Sequence, residues 1–123
     1  MKKLLMFVGM FFCVLVLSAQ VYKFVDVYPE FPGGVKVMNK FIVESIKYPV
    51  SAIENCIEGK VYVEFIVNVD GSVSNVRVSK GVAPALNSEA IRIVKSFPKW
   101  APGKKDGKVV GVSTTLPISF KLK

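Results

Sequence analysis

Histidine is missing from all 123 residues. Without it there is no Ser–His or Cys–His nucleophile pair, no imidazole base and none of the commonest metal ligand. Cysteine is nearly absent too: Cys13 lies in an apolar leader, behind Phe11-Phe12, and Cys56 stands alone beyond it, so no internal disulfide forms. Acidic residues are scattered singly, the nearest same-face pair being Glu54 and Glu58 beside a turn. Gly33-Gly34 precedes a helical pattern but has neither a strand before it nor the G-x-G-x-x-G spacing of a phosphate loop. No continuous Lys/Arg stripe interleaves with exposed aromatics, so nucleic acid is not an expected partner. The chain reads as a non-enzyme that needs no metal and no cofactor.

What is present begins with an apolar leader. Lys2 and Lys3, then Leu4 to Leu17, then Ser18-Ala19-Gln20 follow the basic, apolar, small-polar order of a secretory signal peptide. Leu17 at the −3 place makes the cleavage site imperfect, and the rival is a short membrane anchor. Leu4 to Ala19 would span roughly 24 Å as a helix, against a hydrocarbon core of about 30 Å. Residues 1–20 are thus expected to be a signal peptide or anchor, 21–34 an extended lead-in and 35–123 one domain. Without Lys2 and Lys3, 15 basic residues stand against 9 acidic ones, a surface suited to anionic partners.

Gly59 to Ser79 organises the domain. Val61, Val63, Phe65, Val67 and Val69 alternate with Tyr62, Glu64, Ile66 and Asn68. Asp70-Gly71 then predicts a type I′ hairpin turn, with positive φ at both residues. Val21 to Val27 alternates as a candidate short strand. Met38, Phe41, Ile42 and Ile46 predict a helix over Val35 to Lys47. Tyr48-Pro49 ends it and Pro49 opens a short helical turn through Cys56. A further helix is expected from an Asn87 N-cap, with a Leu86–Ile91 staple and a stripe of Ala90, Ile91, Val94 and Phe97. Lys99 to Lys108 reads as a basic loop.

The last segment alternates over Val109 to Leu122, with Val112, Thr114, Leu116, Ile118 and Phe120 on one face. Pro117 cannot donate to a ladder, so this strand belongs at a sheet edge with that nitrogen outward. The expected fold is α+β: two helices packed on one face of a three-stranded antiparallel sheet, with Lys60–Val69 central. Ser113, Thr115 and Ser119 then turn their backbone groups outward as well, where an extended peptide can add.

In order, F-P-G-G at Phe31–Gly34, K-Y-P at Lys47–Pro49 and E-N-C-I-E-G-K-V at Glu54–Val61 resemble the C-terminal domain of the TonB energy-transducer family. So do F-I-V-N-V-D-G-S-V at Phe65–Val73, P-K-W-A-P-G-K at Pro98–Lys104 and T-L-P-I-S-F at Thr115–Phe120. The resemblance implies a periplasmic domain, or one held at the inner membrane by its leader. It would bind the TonB box of a TonB-dependent outer-membrane transporter by strand addition and be driven by an inner-membrane proton-channel complex. By position it implies Tyr48, Pro49, Val112, Ser113, Thr114, Thr115, Leu116, Pro117 and Ile118 as partner-binding residues. The alternative function is a stand-alone periplasmic interaction module, dimerising through its open edge. The chain departs from the family pattern in lacking a histidine, in placing Cys56 where small or polar residues are usual, and in having only Val21 to Gly34 as spacer. Those fourteen residues reach at most ~50 Å extended.

Overall fold

Residues 20–123 are described by a computed structural model, and the leader expectation for residues 1–19 lies outside the described residues. The elements are β1 (Val21–Tyr22), α1 (Val35–Ser45), α2 (Val50–Glu54), β2 (Gly59–Val67) and β3 (Val73–Lys80). After these come α3 (Pro84–Lys95), β4 (Gly103–Lys105) and β5 (Lys108–Phe120). The strand order is β1-β5-β2-β3, and β4 pairs with β5 off that path. The central antiparallel trio β5-β2-β3 is the expected one. The expected three-stranded, purely antiparallel sheet is not: there are five strands, and β1 runs parallel to β5. Of the strand expected from the alternation of Val21 to Val27 only Val21–Tyr22 forms, and β4, at three residues, is too short to show a period of two.

β2 is central because its alternation is cleanest. Val61, Val63, Phe65 and Val67 are fully buried under the helices, and the residues between them are half-buried on the opposite face. From α3 come Leu86, Ala90, Ile93 and Val94; from α1, Met38 and Ile42. Phe31, in the lead-in, joins this core with its ring centroid 5.5–5.7 Å from those of Phe41, Phe97 and Trp100, and Phe65 lies 5.6 Å from Trp100. Tilted and edge-on rings at such distances add to the area they bury.

Three local expectations are corrected. The type I′ turn at Asp70-Gly71 does not form, since only Gly71 has positive φ. Asn68 and Ser72 close a three-residue loop instead: Gly71 donates to the Asn68 carbonyl, and Asn68 donates to that of Ser72. Asp70 is held in it by accepting the Ser72 N–H at 3.0 Å and its hydroxyl at 2.6 Å. The Ser72 hydroxyl and N–H pull the Asp70 carboxyl below its ordinary pKa. A two-residue Asp-Gly turn with both φ positive occurs at Asp106-Gly107, joining β4 to β5 inside the expected basic loop.

Helix α3 starts three residues before the expected N-cap, with Ala83 as cap and Pro84 at its first position, where a missing N–H costs nothing. Asn87 instead accepts the Val82 N–H from within the first turn. Its buried stripe runs through Ile93, leaving Ile91 half-buried. Pro49 is the cap of α2, not its first residue.

Candidate functional site

One flank of β5 is paired with β2 from Val112↔Val67 to Phe120↔Gly59 without a register shift. On the other flank β1 takes Gly111 and Val112, while β4 pairs with Lys108–Val110, ahead of the residues that β2 holds. Among the described residues no strand pairs with that flank from Ser113 to Phe120. Pro117 stands opposite Tyr62 and has no N–H to give, so that pair is a non-hydrogen-bonded one and its backbone polar side faces away from β2. With no bulge between them, Ser113, Thr115 and Ser119 share this orientation. Thr114, Leu116 and Ile118 turn theirs to β2.

The predicted residues therefore divide. Ser113 to Ile118 form one free edge. Val112 does not belong to it, because it is fully buried and its outer flank is occupied by Tyr22. Along the helix-side face, Val112, Ile118 and Phe120 are buried while Thr114 and Leu116 are only half-buried. The layer above the middle of the edge is incomplete.

Tyr48 and Pro49 are not on that edge. The Tyr48 hydroxyl donates to the Ile57 carbonyl, and its ring meets Phe120 edge-on at 5.9 Å, so its contact with β5 lies beyond position 118. Burial, with the charge of Glu58 beside it, raises the Tyr48 hydroxyl above its ordinary pKa. The Pro49 carbonyl accepts the N–H groups of Ala52 and Ile53, opening α2.

This segment is fixed by a pair that sequence reasoning missed. Glu89, 9% exposed on the buried side of α3, grips Arg92 through both oxygens at 2.7 Å. One of those oxygens also accepts the Lys47 N–H at 2.7 Å, and Arg92 donates to the Ser45 carbonyl at 2.7 Å. The end of α1 and the start of K-Y-P are thereby tied to α3. Hydrogen bonding to Arg92, with the Lys47 N–H adding to it, holds the Glu89 carboxyl below its ordinary pKa against the cost of burial. The signal was in the sequence: a lone acid between Leu86 and Ile93 on an apolar stripe, with an arginine three residues on.

Among the described residues no helix is long and apolar enough to cross a membrane, and no cluster of three or more His, Cys, Asp or Glu could hold a metal ion.

The chain is similar to TonB from two strains of Helicobacter pylori. It is 35% identical to TonB of strain ATCC 700392 / 26695 and 37% identical to that of strain J99, each over 78 residues. These stretches cover 63% of this chain but 26% of either relative, so the chain spans about a quarter of their length. Two solution NMR structures of the H. pylori TonB C-terminal domain match its fold. One has a TM-score of 0.56 at 33% identity, covering 70% of this chain and 78% of that one. The other has 0.55 at 32%, covering 72% and 92%. Residues 44–122 match the description of the Gram-negative bacterial TonB protein C-terminal family. That span holds β2, β3, α3, β4 and β5 entire, and with them the open edge: the chain belongs to the TonB C-terminal domain family.

Proposed function

We propose that this domain works in the periplasm as the receptor-gripping part of a TonB-type energy transducer. The N-terminal TonB box of an outer-membrane transporter would add as a strand to the outer flank of β5, between Ser113 and Ser119. The reading rests on one observation: that flank is unpaired over eight residues beside a fully laddered inner flank. A peptide zipped there gains backbone hydrogen bonds on both sides of Pro117 and lacks one only at Pro117 itself. Force from an inner-membrane proton-channel complex would reach the transporter through those bonds. Tyr48 supports this surface from the end of β5, through its ring contact with Phe120.

The test is hydrogen exchange on residues 20–123 with synthetic peptides from the N-terminal segments of TonB-dependent transporters. Binding should slow exchange at the outward amides of Thr115 and Ser119, which no strand among the described residues pairs. The inward amides of Thr114, Leu116 and Ile118 should change far less. Equal exchange at the outward amides with and without every peptide in the panel would remove the proposal.

A further inference from the structure

Next to the unpaired flank of β5 lies a hollow of about 190 Å³, walled by Phe31, Val35, Met38, Trp100, Thr114 and Leu116. For scale, a closed apolar cavity of ~150 Å³ takes a benzene ring. Thr114 and Leu116 are the two positions of the helix-side face of β5 left half-buried between buried neighbours. Trp100 is 7% exposed, and its Nε1–H finds no acceptor among the described residues. Glu30 also lines the hollow, bringing an acidic group to its wall.

A strand added to β5 lies about 4.8 Å from it, with alternate side chains on the same face as Thr114 and Leu116. The side chain opposite these two is the one that enters the hollow. We infer that the hollow is a selectivity pocket for one large, uncharged apolar side chain of the incoming strand, such as leucine. Backbone pairing along 113–119 accepts any sequence; the pocket makes the edge prefer one residue type at one register. Glu30 sets it against aspartate and glutamate. This inference rests on the strand-addition reading and goes beyond it by naming which side chain is read and where.

The probes are the seven-residue peptides Lys-Thr-Val-Xaa-Val-Thr-Lys, with leucine, alanine or glutamate at Xaa. Two readouts run in parallel: exchange protection at Thr115 and Ser119 reports edge pairing, and emission of Trp100, the only tryptophan in the chain, reports the hollow. The leucine peptide should bind roughly tenfold tighter than the alanine peptide, with the larger change in emission, and the glutamate peptide weakest. In Val35→Phe, which narrows the hollow from the α1 side and lies off the edge, the peptides should still protect the edge but differ by less than twofold. If the three peptides protect the edge of the unaltered protein with equal affinity, the pocket is overturned and strand addition stands. If none protects it, strand addition falls and the pocket falls with it. The peptide series on the unaltered protein decides the matter even where Val35→Phe does not fold.

Discussion

Trp100 donates its backbone N–H to the Gly71 carbonyl at 2.9 Å, and a β-carbon at position 71 would overlap the Trp100 carbonyl oxygen. The tip of the β2–β3 hairpin is thereby pressed against the chain that carries the core tryptophan. Gly71 is needed on two counts, its φ of 88° and this close approach. Gly71→Ala should cost about 2–4 kcal/mol, the sum of left-handed strain and overpacking. A urea midpoint shifted by less than a tenth of that would show that the tip can move away from Trp100.

Thr115→Pro and Thr114→Pro separate the two sides of β5. The Thr115 N–H faces outward, so proline there should leave stability within about 1 kcal/mol and abolish peptide binding at the edge. The Thr114 N–H feeds the β2 ladder, and proline there should cost about 3 kcal/mol or more. Thermal melts with a peptide titration distinguish the two, and the opposite ranking would invert the assigned orientation of the strand.

Removing the Glu89 carboxylate leaves the Lys47 N–H and Arg92 without their acceptor. Glu89→Gln should destabilise the domain by about 1–3 kcal/mol at neutral pH. Its pH dependence follows from the sign of the shift. A carboxyl with a lowered folded pKa contributes stability that is full above the unfolded value of ~4.3 and is lost as pH falls from there through the folded value. Denaturant midpoints from pH 7 to pH 2.5 should fall more steeply for the parent than for Glu89→Gln, the two curves converging in acid.

Phe31 shows that the lead-in is structural. Phe31→Ala removes a ring, 4% exposed, that touches three other aromatics, and should cost about 3–5 kcal/mol. A fragment beginning at Val35 should lose a comparable amount in a guanidinium titration. Tyr48→Phe, which keeps the ring on Phe120 and loses only the bond to Ile57, should cost about 1 kcal/mol.

The parts legible in the sequence were those with period. Val61 to Val67 and Val112 to Phe120 alternate over enough residues to fix which face is buried, while the edge position expected from Pro117 holds only from Ser113 onward, since β1 lies outside β5 at Gly111 and Val112. Met38 and Ile42 likewise fixed the inner face of α1. What escaped lacks period or depends on distant partners. β4 exists because β5 offers it a partner, and nothing within Gly103–Lys105 announces it; the alternation from Val21 marked β1, but only Val21-Tyr22 of it pairs. Two Asp-Gly pairs took different turns: Trp100 and Ser72 constrain one, while the other closes a two-residue hairpin whose Asp106 N–H donates to Asp26. Asn87 looked like a cap because its side chain does cap a backbone group, that of Val82, but Pro84 had already begun the helix. Tyr48 is a partner-binding candidate by likeness alone, and its hydroxyl donates to the Ile57 carbonyl.

Pro117 also bears on homotypic contact. Two copies aligned edge to edge through β5 would bring two prolines to one seam and forfeit a donor at each. A foreign strand on the same seam forfeits one. At about 1 kcal/mol per bond, this handicaps self-pairing roughly fivefold relative to pairing with a guest. A single imino acid thus keeps the domain's sticky margin available to others while discouraging it from sealing against its own twin.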